Sequence, residues 1–244
     1  MRSFATGLSQ TRDYSTGRAD SQILLPALER ANLFLVPLDE SREWFRYEHL
    51  FADLLRHQLA NVAGDDGIAE LHRRASAWFR ANGFPREAMN HALAAHDWET
   101  AADVLTEVAP RYLVTMEMVT LRAWFEALPE QTLLARPALC HSYLWVLNWF
   151  ARLDEAEALV AHMERACGDD PAEHARNLAR RSVIEDSRGN IARGAELAEQ
   201  ALPLLPASEA ELRSGLTGAL GRVYWGQGRF EQAETLLWEA YREG

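Results

Sequence analysis

Three short stretches in the last third of the 244-residue chain repeat one pattern. They are Ala151-Arg152-Leu153-Asp154-Glu155-Ala156, Gly189-Asn190-Ile191-Ala192-Arg193-Gly194 and Gly228-Arg229-Phe230-Glu231-Gln232-Ala233, at offsets of 38 and 39 residues. A period in this range marks helix hairpins that cannot bury their apolar faces alone and must stack. Ala156, Gly194 and Ala233 fall where the two helices of a hairpin cross most closely, and a larger side chain would push them apart. The last unit fits tetratricopeptide (TPR) spacing best, with Leu220, Gly221 and Tyr224, then Ala233. Pro206 holds the closing-proline place of the unit before. The period exceeds the standard of about 34, so the repeats read as TPR-like. The chain ends at Gly244, inside a unit, which reads as a truncated protein.

Upstream, helical periodicity predicts helices at 68–82, 84–95, 97–107, 109–116, 119–128, 137–151, 154–167, 171–188, 191–204, 208–226 and 230–243. Short connections predict antiparallel neighbours. Residues 1–19 lack periodicity and read as a flexible tail. Asp20 and Ser21 suit a helix start before Ile23, Leu24, Leu25 and Leu28, with Pro26 confined to the first turn or a kink. Leu33–Val36 and Trp44–Tyr47 read as strands of a hairpin, followed by a helix from His49 to Leu59. Helix, hairpin, helix is a winged-helix profile. Residues 61–67 (NVAGDDG) read as a linker. The expected fold is mainly α: a small winged-helix element at 20–62, a helical arm at 68–136 and an antiparallel TPR-like superhelix at 137–244.

All 25 basic residues are Arg. Without Lys the chain can hold no P-loop, no pyridoxal-phosphate Schiff base and no kinase strand Lys. The net charge of −11 disfavours nucleic acid and anionic membrane as direct partners. Residues 1–62 carry seven Arg against eight acids, so the winged helix reads as a packing module and not a DNA reader. No signal peptide or membrane-spanning run is visible, and Cys140 and Cys167 suit buried thiols of a cytoplasmic protein. No catalytic or metal motif is found; His91 and His96 read as ordinary surface or half-buried histidines. The chain is expected not to be an enzyme and to hold no cofactor of its own.

One stripe stands out. His141, Trp145 and Asn148 share a helix face at i, i+4, i+7 in an aromatic-rich segment. These aromatics read either as repeat core or as one wall of a groove for an effector small molecule or a protein. Arg180, Arg181 and Glu185 on the next unit, and Arg222 with Trp225 on the last, would extend such a groove.

The residues also carry a family likeness. LERANLFLVPLD at 28–39 and WFRYEHLFADLL at 44–55 resemble the winged-helix domain of MalT-type, LuxR-family transcriptional regulators. LHRRASAWF, EAMNHALAAHDW and LRAWFEALP, within 71–129, extend the likeness. The resemblance implies the regulatory and sensor portion of an ATP-dependent activator, in which effector binding promotes self-association and transcription. It implies an N-terminal nucleotide-binding domain and a C-terminal helix-turn-helix, neither present here, so ATP or ADP and DNA would be contacted only through those parts. His49 matches a winged-helix histidine that in related ATPases contacts the phosphates of bound ADP; in a chain without a P-loop it reads as a vestige or a packing residue. The alternative reading is a stand-alone TPR-like adaptor or a degenerate regulator remnant.

Overall fold

The computed structural model describes residues 8–9, 27–31, 34–38, 40, 44–168 and 170–243. It is mainly α-helical. Three short strands, β1 (Leu8–Ser9), β2 (Leu35–Pro37) and β3 (Trp44–Tyr47), form an antiparallel sheet in the order β1-β3-β2. Leu35 faces Tyr47 and Pro37 faces Phe45 across β2 and β3, as the two apolar runs predicted. Period-two alternation puts Phe45 and Tyr47 on the inner face, where Phe45 is fully buried with Leu35 and Leu28 packs on them. Leu8–Ser9 corrects the expectation of an unstructured tail at those two residues, because they pair with Trp44 and Phe45. The predicted helix start at Asp20 and Ser21, and Pro26, lie outside the described residues.

The helices are α1 (His49–Ala81), α2 (Pro85–Ala94), α3 (Trp98–Val114), α4 (Met118–Ala127), α5 (Glu130–Leu134), α6 (Pro137–Trp149), α7 (Leu153–Cys167), α8 (Pro171–Ser187), α9 (Ile191–Ala201), α10 (Ala210–Gly226) and α11 (Phe230–Glu243). Two expectations need correction. The 61–67 linker is helical on both sides of a single non-helical residue, Gly64, at φ 64° and ψ 177°. Only glycine takes that conformation freely, so one residue does the work expected of a loop. Helices expected at 97–107 and 109–116 are one helix, α3, with Pro110 inside it. Pro110 is exposed, so the Thr106 carbonyl it leaves without an amide donor lies on a face that water reaches.

The chain divides into two compact units. The first comprises residues 1–112 and 123–133; the second comprises 113–122 and 134–244. In the first, α1 and α2 form an antiparallel hairpin. The Ser76 hydroxyl donates to the Ala88 carbonyl at 2.8 Å. Four residues earlier on α1, His72 Nδ1 lies 2.7 Å from His91 Nδ1. The His91 ring stacks on Phe79 at 5.4 Å, and His72 is buried. Burial, and secondarily the facing His72, push His91 down to about 4. Burial lowers His72 as well. His96 is exposed and His91 half-buried, as expected, but the pairing of His91 with a second histidine 19 positions away was not anticipated.

In the second unit, α6–α7, α8–α9 and α10–α11 are the hairpins of the repeat. Ala156 and Ala233 are fully buried, and Gly194 is buried with them. A Cβ on Gly194 would stand 3.0 Å from the Ser182 carbonyl oxygen, which explains its identity. The Ser182 hydroxyl donates to the Gly194 carbonyl at 2.8 Å, the same device as Ser76 and Ala88. Each hairpin turns through a residue of positive φ five positions before its buried small residue: Ala151, Gly189 and Gly228. Gly83 and His96 do the same before Ala88 and Ala101 in the first unit. The flanking hydrogen bonds are of Schellman type: Ala151 N–H to Asn148 O at 3.0 Å and Arg152 N–H to Leu147 O at 2.9 Å, with counterparts at Gly189 and Gly228.

Two measurements check this picture. Ala151 is an L-residue held in a glycine conformation, so Ala151→Gly should raise unfolding stability by about 0.5–1 kcal/mol in urea titrations. The folded state holds His91 below the ordinary histidine value of 6.5, so the stability this lends is complete above that pH and is lost as pH falls toward about 4. The loss should be about 1–3 kcal/mol and should shrink in His91→Gln.

Candidate ligand-binding cleft

The second unit contains a cleft of about 510 Å³. One wall is α6, whose helical period brings His141, Leu144, Trp145 and Asn148 to one face. The opposite wall is α8, with Glu173, Arg176, Ala179, Arg180 and Val183. Glu209 and Leu212, at the start of α10, complete it.

The charged groups neutralise one another. Arg176 bridges Glu173 and Glu209, with Nε 2.9 Å from Glu209 Oε1. Arg180 reaches Glu173 at 3.5 Å, the Asn177 side-chain oxygen, and His141 Nε2. A guanidinium only donates, so His141 Nε2 accepts and its proton sits on Nδ1. Burial first, then the positive charge of Arg180, lowers the His141 pKa, with Glu173 opposing. The imidazole is thus neutral at physiological pH. Asn148 Oδ1 is buried and has no hydrogen-bond partner among the described residues. Trp145 is 59% exposed at the edge of the cleft, so it is not core.

Of the residues singled out in the sequence, His141, Trp145, Asn148 and Arg180 come together here. Arg181, Glu185, Arg222 and Trp225 are not among the lining residues, which corrects the expected extension of the groove. A step of one residue turns a helix by about 100°, so Arg181 points away from its neighbour Arg180. It pairs with Glu164 at 2.9 Å and Glu157 at 3.3 Å on α7. Glu185 accepts from Asn190 and Arg188 at the α8–α9 turn, and these bonds hold its carboxyl below the usual range. Trp225 packs edge-on against Phe230 at 5.1 Å, and Arg222 is exposed. His49 opens α1, and its side chain lies outside the described residues. Glu173, Arg176 and Glu209 were not anticipated. The spacing Glu173, Arg176, Arg180 on one helix face carried the signal for the first two; Glu209 joins only through the tertiary pairing with Arg176.

Among the described residues, no group of three or more His, Cys, Asp or Glu is placed to hold a metal ion. No described helix is long and apolar enough to cross a membrane. Cys140 is buried and burial pushes its thiol up, while the Cys167 side chain is outside the described residues.

Comparison with known proteins adds an observation at the other end of the chain. Residues 10–66 match the MalT winged helix domain. This segment is similar to the winged helix domain of MalT. It contains β2, β3 and the first part of α1, and begins ten residues upstream of the boundary expected at 20. Among solved structures, the crystal structure of BtubC (BKLC) from P. vanneervenii is similar over 78% of this chain and 85% of that chain, at 16% identity and a TM-score of 0.47.

The two walls of the cleft should respond differently to truncation. Trp145→Ala should leave stability within about 0.5 kcal/mol, since an exposed ring is lost. Arg180→Ala removes the guanidinium that bonds His141, Asn177 and Glu173 and should cost about 1–3 kcal/mol in denaturant unfolding.

Proposed function

We propose that this chain is the winged-helix and sensor portion of a MalT-like, LuxR-family transcriptional regulator. In this reading the helix-hairpin region is TPR-like, and its cleft takes an effector small molecule or a segment of a partner protein. Effector binding is coupled to self-association and to activation of transcription. The observation that carries the reading is the MalT winged helix domain at 10–66 in the same chain as a cleft-bearing stack of helix hairpins.

The chemistry of the cleft supports binding over catalysis. Its carboxylates and guanidiniums are engaged with one another, and His141 Nε2 is held by Arg180. What remains for a ligand is apolar wall, the Trp145 ring and the Asn148 amide, a mixture typical of recognition sites. In the same reading ATP is handled by a nucleotide-binding domain, and promoter DNA by a helix-turn-helix, of a longer protein. The chain itself acts in the cytoplasm without a cofactor.

Two results test this. The genomic sequence around the coding region should hold an in-frame P-loop upstream and a helix-turn-helix downstream; stop codons on both sides would favour a free-standing adaptor. Gel-shift titration of the 244-residue chain with promoter fragments should show no specific complex at physiological salt, and tight sequence-specific binding would overturn the assignment.

A further inference from the structure

The walls of the cleft between α6, α8 and the start of α10 constrain what class of molecule it takes. Its charges come first. Two guanidiniums, Arg176 and Arg180, face two carboxylates, Glu173 and Glu209, and the four formal charges cancel. Arg176 bridges both carboxylates, with Glu209 at 2.9 Å, and Arg180 reaches Glu173 at 3.5 Å. The Arg180 side chain is only 10% exposed. A ligand anion would have to take a guanidinium from its carboxylate and leave that carboxylate partly buried and uncompensated. A ligand cation would strand a guanidinium in the same way. Either exchange is unfavourable where water is largely excluded. His141 adds no charge, since burial and then Arg180 lower its pKa.

The rest of the wall is apolar: Leu144, Ala179, Val183 and Leu212. Trp145 stands at the edge and offers a flat ring for stacking. One polar atom is left over. Asn148 Oδ1 is buried with no donor among the described residues, and a buried amide oxygen stays unsatisfied until something donates to it. The cavity, about 510 Å³, is confined to these three helices and does not run on to Arg222 or Trp225. It has the size and compactness of a small-molecule pocket and not the length of a channel for an extended peptide.

We propose that the cleft binds an uncharged, largely apolar small molecule that carries a flat ring and one N–H or O–H group. The ring stacks on Trp145, and the N–H or O–H donates to Asn148 Oδ1. The self-compensated Arg and Glu pairs discriminate against charged analogues, because binding one would break a pair. This ligand class deepens the effector reading of the cleft and rests on that reading for its biological use.

Fluorescence titrations of the 244-residue chain with three matched dyes test it. N-phenylnaphthylamine is uncharged and has one N–H. Its N-methyl derivative lacks the donor. Its ring-sulfonated form, with the sulfonate remote from the N–H, keeps the donor and adds an anion. The expected result is one saturable site per chain for N-phenylnaphthylamine, with the other two dyes each about tenfold weaker. Trp145→Ala should abolish binding with an unchanged far-ultraviolet circular dichroism spectrum. Asn148→Leu should bring N-phenylnaphthylamine down to the affinity of its N-methyl derivative. Glu209→Gln leaves two guanidiniums with one carboxylate, and should improve the sulfonated dye about tenfold relative to the uncharged one. Trp145-dependent binding in which the anion equals or exceeds the uncharged dye would overturn the ligand class and leave the cleft as a binding site. Equal affinity of the native chain for the N–H and N-methyl dyes would overturn the hydrogen bond to Asn148. No Trp145-dependent binding of any of the three would overturn the cleft reading itself.

Discussion

The structure depends on how closely the two helices of a hairpin can approach. In the second unit that distance is set at the buried Ala156, Gly194 and Ala233, with the Ser182 backbone facing Gly194 and Gly221 facing Ala233. The constraint is local in sequence, because each turn enters through a positive φ five residues earlier and closes with Schellman hydrogen bonds. Turn and crossing together fix the register of each hairpin. The register in turn decides which stripe of α6 faces which stripe of α8. Even a methyl at Gly194 would crowd the Ser182 carbonyl oxygen, at 3.0 Å, and press on the α8 wall of the cleft.

The cleft built on that frame couples stability to recognition. Arg176 and Arg180 satisfy Glu173, Glu209 and His141 across three segments, so the polar network that lines the cleft also ties α6, α8 and α10 together. Partly buried ion pairs are costly to desolvate and costly to break singly, which favours one arrangement of the walls. A ligand that engages Arg176 or Arg180 must exchange with existing bonds, so binding would be felt at Glu209 on α10 as well as on α8.

Much of this was legible in the sequence because it rests on local rules. The repeat gave the crossing residues, the alternation around Phe45 and Tyr47 gave the hairpin, and the i, i+4, i+7 stripe gave His141, Trp145 and Asn148. What escaped rests on long-range pairing or on backbone tolerance. The His72–His91 contact and the Arg176–Glu209 pair join residues 19 and 33 positions apart. The NVAGDDG segment looked like a loop by composition, yet a single residue, Gly64, carries the whole break. Pro110 looked like a helix end but sits on an exposed face where its missing hydrogen bond is cheap. Arg181 and Glu185 were misplaced by one step of helical phase: charge type suggested a groove, while rotation pointed Arg181 to α7 and Glu185 to a turn.

In the proposed reading, the cleft of the second unit is where the regulator is controlled. Reporter transcription driven by the gene that encodes this chain, in cells carrying Trp145→Ala, measures it most directly. Induction should be lost while protein level and helicity stay unchanged, because an exposed ring contributes little to packing. Full induction by the Trp145→Ala protein would contradict it.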